Sequence, residues 1–135
     1  MAIEVYTKSG IINDQPVSAF ILKSHRHKWL KTQKFDTHVT KKQADSLGLI
    51  WALKHIKTKH KKKKIIIYTD SEYMTEFLSD LNKSSSVNST KSLRDCLSEF
   101  VEWEVKPFPL NELSEELNHI YQECGLDGIE LEEKE

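Results

Sequence analysis

Three short runs near the start of the chain have the composition of strands, and in the first of them apolar and polar residues alternate. The runs cover residues 3–7, 17–22 and 27–35, and the last is the weakest. Turn-forming residues, Ser9-Gly10 and Asn13-Asp14-Gln15-Pro16, separate the first two runs. The pattern predicts three strands that form an antiparallel meander.

A helical spacing of apolar residues follows the third run. Ala44, Leu47 and Gly48 recur at intervals of three and four residues and so share one helix face. Thr40, with Gln43 three positions later, has the spacing of a capping box. A helix that begins just after Thr40 is therefore predicted.

The second half of the chain alternates between strand and helix signals. Residues 65–68 form a β-branched run typical of a buried parallel strand. Thr69-Asp70-Ser71-Glu72 then has a second capping-box spacing and predicts a helix to about Leu81. The remaining predictions are a Ser-rich loop at 82–90, a helix at 91–100, a strand at 101–105 and a helix at 111–124 that ends at Gly125.

The predicted order β-β-β-α-β-α-α-β-α indicates an α/β fold. A strand–helix–strand unit after a meander implies a five-stranded mixed sheet, with the three antiparallel strands followed by two parallel ones and helices on both faces. We expect one domain over residues 1–126 and a frayed acidic tail over 127–135. The longest apolar stretch, 47–53, is too short to span a bilayer, so no membrane role is expected.

Charge is divided unevenly along a chain whose formal net charge is −1. Residues 23–64 contain 14 Lys and Arg and two acids, whereas residues 65–135 contain five Lys and Arg and 17 acids. A basic half attracts polyanions such as nucleic acids. The alternative is that both halves form solvated faces that neutralise each other, and that the lysine-rich connector at 57–64 is a solvated turn.

The two cysteines, Cys96 and Cys124, are too few for a disulfide framework, and no Cys/His spacing suggests a zinc site. No basic-then-apolar leader follows Met1. A reduced, cytoplasmic location is therefore expected.

Four segments, in the right order, resemble the type 1 ribonuclease H family over about residues 3–126. Residues 66–73 are similar to the family strand that ends in Thr-Asp-Ser-x-Tyr, whose Asp is a metal ligand. The other three segments are 45–53, similar to the helix that opens with a catalytic Glu; 5–7, similar to the strand that runs into Asp-Gly; and 103–106 with Asn111, Glu112 and Glu115, similar to the last strand and helix. The resemblance implies the ribonuclease H-like fold.

The resemblance also implies two-metal hydrolysis of the RNA strand of an RNA–DNA hybrid, with four carboxylates holding two Mg²⁺ or Mn²⁺ ions. The four family positions fall here on Lys8, Asp45, Asp70 and Glu115. A lysine thus replaces the first acid, and a charge–charge term of about 4 kcal/mol at ~4 Å acts against the ions. Weak or single-site Mg²⁺ or Mn²⁺ binding is expected, unless the register is shifted and Asp14 supplies the missing carboxylate.

Other departures concern nucleic-acid contacts. The family loop Gly-His-x-Gly before the last helix, whose His helps to release product, corresponds to Lys106-Pro107-Phe108-Pro109-Leu110-Asn111, which has neither residue. Thr40 fits the family threonine of the DNA-phosphate pocket, and Lys41 and Lys42 occupy neighbouring polar positions. We expect these three residues to contact nucleic acid.

Three functional hypotheses follow. The first is a ribonuclease H-like protein that binds RNA–DNA hybrid or other nucleic acid but has weakened or absent nuclease activity. The second is an active Mg²⁺- or Mn²⁺-dependent endoribonuclease that uses Asp45, Asp70 and Glu115. The third is a protein-interaction scaffold, including a homodimer, in which Asp45 and Asp70 are ordinary first-turn acids stabilised by helix dipoles.

Overall fold

The computed structural model describes residues 2–24, 27–56, 64–83, 91–109 and 111–127. Within these residues, five strands and four helices follow the predicted order. They are β1 Ile3–Ile12, β2 Gln15–Lys23, β3 Lys28–Lys34, α1 Lys41–Lys54, β4 Ile65–Thr69, α2 Glu72–Lys83, α3 Lys91–Ser98, β5 Trp103–Pro107 and α4 Glu112–Asp127.

The strands form one mixed sheet in the order β3-β2-β1-β4-β5. β1 pairs antiparallel with β2, β2 antiparallel with β3, β4 parallel with β1, and β5 parallel with β4. This confirms the predicted meander with two added parallel strands. Because Thr7 and Thr69 are the last partners in the parallel ladder, Lys8 within β1 and Asp70 just after β4 are the next residues on these two neighbouring strands.

Helices cover both faces of the sheet, as predicted, because successive side chains of a strand point to opposite sides. Val5 belongs to a buried cluster with residues of α1, α2 and α3, such as Leu49 and Leu78. Its neighbour Tyr6 belongs to a second cluster, with Leu117 of α4. The two cores hold α1 and α4 against opposite faces of β1.

Gly48 brings α1 unusually close to the sheet. A Cβ atom at this position would lie 2.0 Å from the Oγ atom of Ser18 and 2.9 Å from that of Ser9. These two buried hydroxyls hydrogen-bond to each other at 2.8 Å. The absent side chain thus lets α1 pack directly on β1 and β2, which places the first turns of α1 beside the site described below.

β1 is longer than the sequence predicts, and the expected turn at Ser9-Gly10 is wrong. Both residues lie inside the strand because the ladder with β2 continues as far as Ile12 opposite Gln15. The turn is made by Asn13 and Asp14 alone, whose φ angles are 50° and 64°. Two successive positive φ angles are typical of the tight type I′ hairpin, which Asn and Asp tolerate.

The beginning of α2 also differs from the predicted capping box at Thr69. Ser71 is the N-cap residue: its Oγ atom accepts a hydrogen bond from the Met74 backbone N–H at 3.2 Å. The Thr69 hydroxyl instead accepts from the Ser71 N–H at 3.1 Å. α2 continues through Lys83, so it enters the first positions of the predicted loop.

The last elements are shifted relative to their predicted limits. β5 begins at Trp103 and includes Pro107, which a sheet edge tolerates because its missing N–H faces no partner strand. α4 passes through Gly125, so the predicted helix end there is wrong. Most of the connector at 57–64, the loop segment 84–90 and the tail beyond Asp127 lie outside the described residues. Among the described residues, no helix has the length and apolar character needed to cross a membrane.

Candidate functional site

An ion pair joins Lys8, within β1, to Asp70, the residue that follows β4; both lie just beyond the last pair of the β1–β4 ladder. The Nζ atom of Lys8 donates to Oδ2 of Asp70 at 2.6 Å. The side chains are 19% and 40% exposed, so the pair lies at the boundary between core and solvent. A charge-assisted hydrogen bond of this length holds the ammonium firmly on the carboxylate.

Tyr121 of α4 supports Lys8 from the other side. The Lys8 Nζ atom lies 5.2 Å from the centroid of the Tyr121 ring, within range of a cation–π interaction. The ring packs against the backbone of β1 at Gly10, where a Cβ atom would lie 2.2 Å from the Tyr121 hydroxyl oxygen. Lys8 is thus held between Asp70 at the end of β4 and Tyr121 on α4.

Asp45 is the buried carboxylate of the site. It lies on α1 and is only 4% exposed. Its Oδ2 atom accepts hydrogen bonds from the Ser71 hydroxyl at 3.0 Å and from the Lys41 ammonium at 3.2 Å. Because Ser71 is the N-cap of α2, Asp45 connects α1 to the first turn of α2.

Burial raises the pKa of Asp45, because the charged carboxylate loses water, while Lys41 and Ser71 act in the opposite direction. The negative charge of Asp70 adds to the upward shift of this pKa. The two carboxylates are therefore electrostatic neighbours, and each has its own lysine.

Glu115, the predicted fourth position, lies in the first turn of α4 and is exposed. Within the described part of the chain its carboxylate makes no hydrogen bond or ion pair. The helix start itself is anchored by Asn111: its Oδ1 atom accepts from the Ser114 N–H at 2.9 Å, and its Nδ2 donates to the Tyr6 hydroxyl at 3.1 Å. The Asn111 bonds fix where Glu115 stands relative to β1.

The predicted nucleic-acid contacts Thr40, Lys41 and Lys42 lie together, exposed, at the N-terminus of α1. Thr40 and Gln43 form the predicted capping box, through bonds of 3.2 and 2.8 Å. Lys41 bonds to Asp45, whereas the Lys42 Nζ atom lies 5.2 Å from the Tyr73 ring centroid. This end of α1 is a cationic rim, to which the helix dipole adds positive potential.

An open cleft of about 580 Å³ adjoins Asp70 on the side of α2 and β5. Its lining includes the carboxylates of Asp70, Glu72 and Glu76 and the ring of Phe108. The site thus has a cationic side at α1 and an acidic side at this cleft.

Residues 13–112 match the sequence profile of the reverse transcriptase-like family. The chain belongs to this family. No curated protein matches the chain. Among 226 matching chains of solved structures is the crystal structure of RNase H1 from the halophilic archaeon Halobacterium salinarum NRC-1. It has a TM-score of 0.67 and 17% sequence identity, and the match covers 96% of this chain and 100% of that chain. The predicted ribonuclease H-like fold is confirmed.

In this reverse transcriptase-like domain, the residues at the implied metal positions do not fit a pair of divalent ions. Asp45 and Asp70 are balanced by Lys41 and Lys8, so the four side chains have no net formal charge. Among the described residues, no group of three or more His, Cys, Asp or Glu side chains is placed to hold a metal ion. Two divalent cations would add four positive charges to a neutral cluster that already contains two ammonium groups.

Lys8 and Asp14, the two residues considered for the first family position, have different surroundings. Lys8 contacts Asp70 directly, whereas Asp14, the alternative acid, lies exposed in the hairpin turn beyond the end of β1.

Three residues of the site were absent from the sequence-based prediction in these roles. Lys41 stands four residues before Asp45, a helical ion-pair spacing that the sequence does contain. Ser71 and Tyr121 give no such signal. Ser71 meets Asp45 across 26 positions, and Tyr121 meets Lys8 only because α4 docks on β1.

Proposed function

We propose that this ribonuclease H-like domain binds nucleic acid, with RNA–DNA hybrid as its expected duplex, and that its nuclease activity is weakened or absent. The observation that carries the proposal is the Lys8 ammonium, 2.6 Å from the carboxylate of Asp70. Hydrolysis by two metal ions requires carboxylates at this place, because they hold the ions that activate water and stabilise the leaving oxygen.

The size of the electrostatic effect supports the loss of activity. A unit charge at about 4 Å contributes on the order of 4 kcal/mol at an effective dielectric constant near 20. Because each ion is divalent, Lys8 at such a distance exerts a repulsive term of about twice this size on it, and the carboxylate that the resemblance implies there would exert an attractive one. We therefore propose at most a weak, single Mg²⁺ or Mn²⁺ ion, with Asp45, Asp70 and Glu115 as its ligands.

The cationic rim supports nucleic-acid binding. Thr40, Lys41 and Lys42 present a hydroxyl and two ammonium groups at the N-terminus of α1. Phosphate oxygens bind readily to lysines at a helix N-terminus, where the helix dipole adds positive potential. The acids of the neighbouring cleft repel phosphate, so the duplex is expected to approach from the α1 side.

A cleavage assay tests the enzymatic part of the proposal. Labelled RNA–DNA hybrid is incubated with the protein in Mg²⁺ and, separately, in Mn²⁺, and the Asp70→Asn variant is measured in parallel. We expect no cleavage above that of Asp70→Asn in either metal. Cleavage by the wild-type protein that Asp70→Asn abolishes would instead establish an active endoribonuclease.

A binding assay tests the nucleic-acid part. Hybrid affinity is measured by fluorescence anisotropy at several salt concentrations for the wild type, Lys41→Ala/Lys42→Ala and the control Lys54→Ala. Each phosphate contact contributes about 0.9 to the slope of log K against log salt. We expect the double variant to lose affinity and slope, and Lys54→Ala, an exposed lysine at the other end of α1, to lose neither.

The second candidate function is a protein-interaction scaffold, including a homodimer. The acidic cleft beside Asp70 favours this alternative, because its carboxylates suit a basic protein surface better than a phosphate backbone. Failure to bind hybrid even at low salt would support the scaffold and contradict the nucleic-acid proposal.

A further inference from the structure

Replacement of the first family carboxylate by Lys8 is only one of two departures at the site. Asp45 is the other carboxylate of the cluster. It also accepts a hydrogen bond from an ammonium group, that of Lys41, and a second one from the hydroxyl of Ser71. We propose that Lys41 is a second resident counter-ion, and that Asp45 serves mainly as a structural carboxylate that fastens α1 to the N-terminus of α2, which leaves it at most a weak metal ligand. This inference rests on the proposed function. It adds that the substitution Lys8→Asp alone does not restore full metal affinity.

The position of Asp45 favours a structural role. Its carboxylate is almost fully buried, at 4% exposure, and a buried carboxylate needs permanent donors. Lys41 lies one helical turn earlier on α1, and its amine bonds to Oδ2 at 3.2 Å. Ser71 supplies the second donor to the same oxygen, at 3.0 Å. A metal ion at this oxygen would have to displace both donors.

The hydroxyl of Ser71 couples this carboxylate to helix capping. A hydroxyl donates one hydrogen bond and accepts up to two. Here its proton goes to Asp45, and its lone pair accepts the Met74 N–H of the first turn of α2. Because the proton is held by Asp45, the lone pair is directed at the helix. Asp45 is therefore a positioning residue for Ser71, the N-cap of α2. Asp70 is the residue directly before this N-cap.

The formal charges show why Lys8→Asp alone does not restore full metal affinity. The two carboxylates and two lysines of the wild type sum to zero. Lys8→Asp lowers the sum to −2, but the Lys41 ammonium stays on Asp45. Lys8→Asp with Lys41→Gln lowers it to −3 and also removes one of the two donors to Oδ2 of Asp45, leaving only Ser71. Metal affinity should therefore rise in two separate steps.

Calorimetric titration with MnCl₂ tests the two steps. The proteins are the wild type, Lys8→Asp, Lys8→Asp/Lys41→Gln and the matched control Lys8→Asp/Lys42→Gln. The control removes the same charge from the adjacent position of the same helix turn, where the ammonium lies over Tyr73 and not on Asp45. We expect the Lys41 double variant to bind Mn²⁺ about tenfold more tightly than Lys8→Asp, and the control to differ from Lys8→Asp by less than about threefold.

Equal Mn²⁺ affinity of Lys8→Asp and its Lys41 double variant would overturn the role of Lys41, as would an equal gain in the Lys42 control. These outcomes are independent of the proposed function, which is decided by hybrid binding and cleavage with the wild-type protein. Tight Mn²⁺ binding by the wild type that Asp45→Asn abolishes would overturn the structural role of Asp45.

A second measurement covers the case in which variants at Lys8 fail to fold. Thermal unfolding is compared for the wild type, Asp45→Ala, Ser71→Ala and the double variant. If Asp45 acts through Ser71, the double variant should melt within a few degrees of the less stable single variant, because both changes remove the same bond. Additive losses in melting temperature would show that the two residues act independently and would overturn the coupling.

Discussion

The Nζ atom of Lys8 lies 2.6 Å from Oδ2 of Asp70, although the two residues are 62 positions apart in the sequence. The parallel pairing of β1 with β4 brings them together, since Thr7 and Thr69 are partners in that ladder. A cation that belongs to the chain therefore stands where the family resemblance implies a carboxylate. The consequence for hybrid binding can be measured directly.

We expect Asp70→Asn to bind RNA–DNA hybrid more tightly than the wild type. The change removes a negative charge and leaves the Lys8 ammonium without its carboxylate partner, so one more cation is available to a phosphate. The expected gain is a few-fold in affinity at low salt, with a slope of log K against log salt that is steeper by up to about 0.9. Fluorescence anisotropy measures both quantities.

Glu76→Gln serves as the control for Asp70→Asn, because Glu76 lines the same cleft and is not paired with Lys8. Its effect on hybrid affinity should be smaller. Weaker hybrid binding by Asp70→Asn would argue that Asp70 helps to hold a metal that contacts the phosphate.

Gly48→Ala should lower the free energy of unfolding by about 1–3 kcal/mol. Alanine has the higher helix propensity, but this stabilisation is smaller than the destabilisation caused by overpacking the contact between α1 and the sheet. The new methyl group would meet Ser18 Oγ at 2.0 Å. Urea unfolding measures the change in free energy of unfolding. Leu47→Ala, at an exposed position of the same helix, is the control and should cost less than Gly48→Ala.

Ser18→Ala provides a further check on the Gly48 contact. It removes the nearest atom, so the cost of Gly48→Ala should be smaller in this background. An unchanged cost would mean that the helix moves away from the sheet instead of meeting Ser18.

Asn111→Ala should lower the free energy of unfolding by about 1–2 kcal/mol, because it removes the N-cap of α4 and the hydrogen bond to the buried Tyr6 hydroxyl. Both bonds come from one side chain, at 2.9 and 3.1 Å. Asn118→Ala, an exposed change within α4, is the control and should be neutral within about 0.5 kcal/mol. A similar loss for both variants would contradict the capping role.

Glu104 should contribute to the loss of folding stability as the pH is lowered. Its carboxylate lies 3.3 Å from Lys64 and 3.4 Å from Lys106, and the hydrogen bond from Lys64 is the main cause of its lowered pKa. Because the pKa is lower in the folded chain than in the unfolded chain, its contribution is complete above the usual carboxylate pKa and is lost as the pH falls through the lowered value.

Thermal unfolding of Glu104→Gln at a series of pH values checks this contribution. We expect the variant to show a shallower loss of stability on acidification than the wild type. Glu76→Gln, a change at an exposed carboxylate of α2, is the control and should keep the wild-type slope. Parallel curves for Glu104→Gln and the wild type would rule out the effect.

The elements of this protein were predictable where neighbouring residues decide the conformation. The capping box of Thr40 and Gln43 involves residues three apart, and it forms as expected. The β-branched run of β4 and the helical spacing of α1 are equally local. Where tertiary pairing competes with local preference, prediction failed: Ser9 and Gly10 favour a turn but are held in β1 by the ladder with β2.

The sequence by itself determined the order of strands and helices and the confirmed fold, and it predicted a lysine at the position where the family resemblance implies the first carboxylate. Only the tertiary structure decided which charges meet. It placed Lys8 on Asp70 and against Tyr121, and Asp45 between Lys41 and Ser71. The physical reason is that local patterns depend on backbone preference and periodicity over a few residues, whereas ion pairs between distant residues depend on strand register and on the depth to which each helix packs.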